Sequence, residues 1–191
     1  MPLLVTGCFL FANQPPPGGD TFRPNPTKIY INDATGFSFP GYLDGFVREK
    51  VTFYRPGGDD LSVDYTIWSD PKTNIALMTV YVYPAPDSGP DGTLESHFEK
   101  CEGEIEKVRQ NAHRISEDEI QIRPNKTLQT GKKAFFTYAD DFGGRRQMLH
   151  SELYLFRYGQ RYIMYRVSCP ETLEKEMRGP IDLFLNDFTW P

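Results

Sequence analysis

LESHFEKCEGEIEKVRQNA, residues 94–112, carries the clearest periodicity in this chain. Leu94, Phe98, Cys101, Ile105, Val108 and Ala112 recur at spacings of 4, 3, 4, 3 and 4, a single apolar stripe along an α-helix. Glu95, Glu99, Lys100, Glu102, Glu104, Glu106, Lys107 and Arg109 fill the gaps and make a solvated face. Thr93 opens the helix with Ser96 three residues on, a partial capping signal, since the full capping box has Glu or Gln there. Burying the stripe is worth on the order of 10 kcal/mol at about 1.5–3 kcal/mol per large side chain, before chain entropy is subtracted. Such a ridge needs a sheet to lie on.

The flanking sequence supplies strands on both sides. Lys28–Asn32 and Thr35–Pro40 read as two short strands. In Gly45–Tyr54, Val47, Glu49, Val51 and Phe53 alternate with Arg48, Lys50 and Thr52. After the turn Pro56-Gly57-Gly58-Asp59-Asp60, Leu61, Val63, Tyr65 and Ile67 alternate with Ser62, Asp64 and Thr66, giving a hairpin with one wet face. Ile75–Tyr83 is apolar on both sides and reads as a central strand. Beyond the helix, with His113 at its basic end, Ile120 and Ile122 mark a short strand. Lys133–Phe142, Gln147–Tyr158 and Arg161–Cys169 then form a meander with turns at Gly143-Gly144 and Gly159-Gln160. A last helix begins at Glu171, is interrupted at Gly179-Pro180, and restarts with Ile181, Phe184, Leu185 and Phe188 inward. The expected class is α+β: an antiparallel sheet, drawn from both halves of the chain, packed against helices.

Composition agrees with a folded chain. Apolar residues make up 39%, aromatics 14% and charged residues 25%, which excludes a disordered chain, a collagen-like repeat and a coiled coil. A net charge of −5 argues against a nucleic-acid binder.

Residues 1–27 read differently from the rest. They hold 6 of the 16 prolines, Pro15-Pro16-Pro17-Gly18-Gly19 among them, so the segment reads as an extended tether. The expected organisation is a tether over 1–27 and one domain over 28–191. Leu3-Leu4-Val5-Thr6-Gly7-Cys8 resembles the lipobox of bacterial lipoproteins, although only seven residues precede Cys8 and none is Lys or Arg. The resemblance implies lipid attachment at Cys8 and a lipid-anchored address in the cell envelope, facing the periplasm. A short apolar N-terminus on a cytoplasmic protein is the other reading.

The order of elements also resembles the PsbP-like family, an α/β/α sandwich whose members include the extrinsic photosystem II protein, a Ran-binding import factor and bacterial lipoproteins of unknown role. Thr35-Gly36-Phe37-Ser38-Phe39-Pro40 resembles its opening strand pair and Phe184–Trp190 its closing helix. The likeness covers roughly residues 28–190 and implies a fold; it brings no catalytic residues, because this fold serves unrelated roles.

Several constellations are candidates for chemistry. His150 and Glu152 share a strand face at spacing two, two of the ligands a metal would need, and nothing in the sequence nominates a third. Neither Asp59-Asp60 nor Asp140-Asp141 is a ready carboxylate dyad, since adjacent strand residues point to opposite faces. Cys101 and Cys169 lie on apolar faces and read either as two buried thiols or as a disulfide across the helix–sheet interface. Tyr154, Phe156 and Tyr158 share the face of His150 and Glu152, with Tyr138 and Phe142 on the neighbouring strand. That face is a candidate ligand or partner surface if no helix covers it, and core if the second helix does.

The expected role is therefore non-enzymatic, without cofactor or metal: binding or scaffolding an envelope partner, a protein or a small ligand. A soluble cytoplasmic accessory, chaperone or immunity-type protein is the alternative, and a hydrolase with an unrecognised site a third reading.

Overall fold

The computed structural model describes residues 20–70, 73–86, 92–109 and 111–191. The strands are β1 (Thr21–Phe22), β2 (Tyr30–Ile31), β3 (Ser38–Phe39), β4 (Tyr42–Leu43), β5 (Phe46–Phe53), β6 (Leu61–Asp70), β7 (Thr73–Pro84), β8 (His113–Ile122), β9 (Gln129–Phe142), β10 (Arg145–Tyr158) and β11 (Arg161–Pro170). The helices are α1 (Leu94–Val108) and α2 (Glu174–Asp187). Nine strands form one antiparallel sheet in the order β1-β5-β6-β7-β11-β10-β9-β8, with β4 also on β5. The two halves of the chain join where β7 pairs with β11, Arg161 opposite Pro84 through Ser168 opposite Leu77.

One helix lies on each face. Phe98, Cys101 and Ile105 of α1 are buried against Ala134, Phe136, Leu153 and Leu155 of β9 and β10. Met177, Ile181, Phe184 and Leu185 of α2 pack on the opposite face against Phe46, Tyr65, Tyr165 and their neighbours. Around Phe184 the rings of Phe46, Tyr65, Tyr165 and Phe188 meet at centroid distances of 5.0–6.4 Å. The α1 stripe is thus roofed as its spacing predicts, although Val108, at the end of the helix, is 49% exposed. Thr93 caps α1, its hydroxyl accepting from the Ser96 N–H at 3.2 Å.

Tight turns set the registers. Leu43 faces Phe46 across Asp44-Gly45, and Phe142 faces Arg145 across Gly143-Gly144; all four turn residues have positive φ, as a two-residue hairpin turn demands.

Four expectations need correction. First, a bulge between Arg48 and Lys50 switches the phase of β5. Phe46 and Arg48 therefore point inward with Val51, while Val47 lies on the other face; unbroken alternation had joined Val47 and Glu49 to Val51. Second, β8 runs from His113, so His113 opens a strand and does not close a helix. β8 is an edge strand whose side chains are mostly exposed and charged, which leaves it little apolar signature. Third, α2 runs unbroken through Pro180. Proline removes one backbone donor there, and the carbonyl left over belongs to Glu176, an exposed residue on the outer side of the helix. Fourth, the folded unit begins before residue 28: β1 pairs with β5, and Phe22 stacks on Phe53 with centroids 5.9 Å apart.

Candidate functional site

The strand period of two places His150, Glu152, Tyr154 and Phe156 of β10 on one face, as expected. That face lies under α2, however, and all four side chains are buried. The expected exposed surface is therefore a helix–sheet interface, and its polar members have turned to one another. The Glu152 carboxylate accepts from His150 Nε2 at 2.8 Å and from the Tyr154 hydroxyl. His150 Nδ1 faces Glu174, the first residue of α2, at 3.9 Å. Burial, then the Glu152 charge, pushes the Tyr154 phenol well above its usual range. Burial, then the charges of Glu152 and Glu174, pushes the Cys169 thiol up to about 12. Cys169, opposite His150 on β11, thus keeps its proton and is a poor nucleophile.

Beside this cluster is a cavity of about 150 Å³. Glu152 and Tyr154 wall it on β10, Lys133 and Phe135 on β9. Arg178, Ile181 and Asp182 line it from α2, one turn of helix presenting three side chains at i, i+3 and i+4. Ile120 of β8 closes the edge. Both signs of charge face the same space. Burial and then Glu152 raise the Asp182 carboxyl above its ordinary value, while Arg178 and Lys133 pull it back. Arg178 also holds Glu174 at 2.7 Å, and the Lys133 ammonium lies 5.3 Å from the centre of the Phe135 ring. Sequence reasoning reached Glu152 and Tyr154 but missed Lys133, Arg178 and Asp182. The last two occupy the positions of α2 between its apolar residues, which read as solvated.

Tyr138 belongs elsewhere. It pairs with Leu149 on the face under α1, so it does not share a surface with His150. Around it gather groups the sequence reading left aside. Arg166, 7% exposed, donates to the Ser151 hydroxyl at 3.0 Å; Ser168 donates to Ser151 at 3.3 Å and lies 3.5 Å from the Tyr138 hydroxyl. Burial pushes the Tyr138 phenol up, yet Arg166, the two serine hydroxyls and Arg109 together carry it below its usual range. A charged residue in the middle of β11, between Tyr165 and Val167, was the available signal for this cluster.

The remaining candidates resolve simply. Cys101 belongs to the α1 core and Cys169 to the α2 core, so the sheet separates them; both are free, and the disulfide reading is excluded. His97 is buried, its Nε2 2.8 Å from the Tyr83 hydroxyl and its ring stacked on Tyr162 at 4.2 Å. Among the described residues no group of three or more His, Cys, Asp or Glu is placed to hold a metal ion. Asp140 pairs with Arg109. Cys8 lies outside the described residues. A wider cleft of about 320 Å³ opens at the β10–β11 turn, where Arg161 commits its guanidinium to the carbonyls of Asp59 and Ala34.

Asp60 makes a pH prediction. Burial pushes its carboxyl up to about 6, with Arg55, 3.3 Å away, opposing. Between the ordinary carboxylate value and about 6 the folded chain holds a proton that the unfolded chain has lost. Stability therefore falls as pH rises through that window, and the whole penalty, up to roughly 3 kcal/mol, is present above it. Asp60→Asn, which removes the charge and the Arg55 pair together, is expected to melt above wild type at pH 7, the gap closing by pH 4. Thermal melts from pH 4 to 8 measure this; a gap that ignores pH contradicts the assignment.

Scans of family models and of curated proteins match nothing. Solved structures do match. A Pseudomonas aeruginosa protein of unknown function is similar over 81% of this chain and 93% of its own, at 9% identity and a TM-score of 0.50, and shares the α+β fold. The solution structure of cyanobacterial PsbP from Synechocystis sp. PCC 6803 aligns over 83% and 88%, at 13% identity and a TM-score of 0.48.

Proposed function

We propose that this chain is a non-catalytic binding protein on a PsbP-like α/β/α scaffold, carried at the bacterial cell envelope by a lipid on Cys8. The observation that carries the binding reading is the cavity beneath α2, about 150 Å³ walled by charges of both signs and by a Glu152 whose carboxylate is held by two hydrogen bonds. Fixed polar groups converging on a partly enclosed space are what a small-ligand site requires. Three groups that chemistry could use are tied up in the core: His150 bonds Glu152, His97 bonds Tyr83, and Cys169 keeps its proton. The order of elements and the Thr35–Pro40 and Phe184–Trp190 segments support the scaffold assignment. The lipobox-like residues before Cys8 and the prolines behind it support the address.

Intact-mass spectrometry of the protein recovered from membranes tests the address. The expected species begins at Cys8 and carries a diacylglycerol-sized addition; an unmodified chain confined to the soluble fraction refutes it. The binding reading is tested through its ligand.

A further inference from the structure

Resting on the cavity reading above, we infer that the ligand is a small zwitterion, an α-amino acid with a short side chain, held between the sheet and α2. Size sets the first limit. Counted at the centres of water-sized spheres, a 150 Å³ space holds roughly ten waters at about 15 Å³ each, so it takes a small molecule and not merely a lone ion. That is room for a molecule of the size of glycine, alanine or serine.

Charge sets the second. Glu152 comes from β10 and Asp182 from α2, two carboxylates on opposite walls of one partly dehydrated space. Their mutual repulsion is felt at Asp182, which is raised by burial and then by Glu152. Lys133 and Arg178, also from opposite walls, oppose that repulsion. A lone anion would satisfy the bases and leave the two carboxylates facing each other. A lone cation would relieve the carboxylates and crowd Lys133 and Arg178. A molecule carrying an ammonium and a carboxylate one carbon apart answers both: its ammonium donates to Glu152 and Asp182, and its carboxylate accepts from Arg178 and Lys133. The apolar parts of the wall, Ile120, Phe135 and Ile181, take the side chain and limit its length. Arg178 and Asp182 sit on exposed positions of α2, so this wall of the cavity borders solvent.

The test uses the full chain in thermal melts and titration calorimetry, with glycine, L-alanine and L-serine as probes. Acetate, methylammonium and L-tryptophan serve as controls at matched ionic strength. With a dissociation constant of about 0.1 mM, 10 mM L-alanine raises the melting temperature by roughly 5–10 °C. Asp182→Asn and Arg178→Gln, at solvent-accessible positions, are expected to fold like wild type and to weaken binding at least about tenfold each. A shift given equally by acetate or methylammonium, and lost in the two variants, overturns the zwitterion while the binding site stands. An alanine shift that survives both variants places the ligand elsewhere and overturns the inference. No shift with any probe overturns both the inference and the cavity reading.

Discussion

Phe98→Ala is expected to destabilise the protein by about 4 kcal/mol, while Val108→Ala changes stability by no more than about 0.5 kcal/mol. Both residues sit on the one apolar stripe of α1, so periodicity alone ranks them together. The structure separates them. Phe98 is fully buried among Ala134, Phe136 and Leu155 with Cys101 and Ile105 beside it, and removing the ring leaves a void that a nine-stranded sheet cannot close. Val108 is the last residue of the helix and half exposed, so trimming it removes little from contact with protein. Urea unfolding of the two variants measures the difference, which for a chain this long corresponds to roughly 8–16 °C in melting temperature. Equal losses at the two positions would mean that α1 is docked through its whole stripe and that the arrangement described above is wrong.

Arg48→Met is expected to cost about 3–5 kcal/mol, a loss comparable to that of a core aromatic although no apolar volume is removed. Arg48 is 2% exposed, and its guanidinium reaches three carbonyls of two segments: Phe39 on one, and Asn25 at 2.8 Å and Lys28 at 2.9 Å in one turn on the other. It is the clasp that ties residues 25–39 to the sheet. Methionine fills the space and leaves those carbonyls without a charged donor. Burial lowers the Arg48 pKa, so the guanidinium itself bears a desolvation cost that the three acceptors offset. Limited proteolysis adds a local readout: cleavage within residues 20–40 should accelerate in the variant well before global unfolding. A variant as stable as wild type, with unchanged cleavage, would show the clasp to be incidental.

Much of this architecture was legible in the sequence because local rules dominate it. The α1 stripe, the glycine-marked turns and the doubly apolar β7 each follow from a period or a backbone constraint that neighbours do not override. What could not be read was nonlocal. The bulge at Arg48 makes sense only once the carbonyls of Asn25, Lys28 and Phe39 are seen around its side chain. Pro180 stays helical because Met177, Ile181 and Phe184 anchor α2 on both sides of it. β1 is two residues long and exists only as an addition to β5. The candidate site divides along the same line. Period-two alternation along β10 assembles His150, Glu152 and Tyr154, whereas Asp182 and Arg178 reach the same space only through the docking of α2, whose register on the sheet no local pattern specifies.

The placement of Cys101 and Cys169 on either side of the sheet has a consequence for the covalent chemistry of the folded domain. In the folded domain a pair of thiols insulated by a full layer of backbone cannot be joined, and neither needs a reductant to remain apart. For these two positions the covalent structure of the folded domain is therefore the same in an oxidising and in a reducing medium.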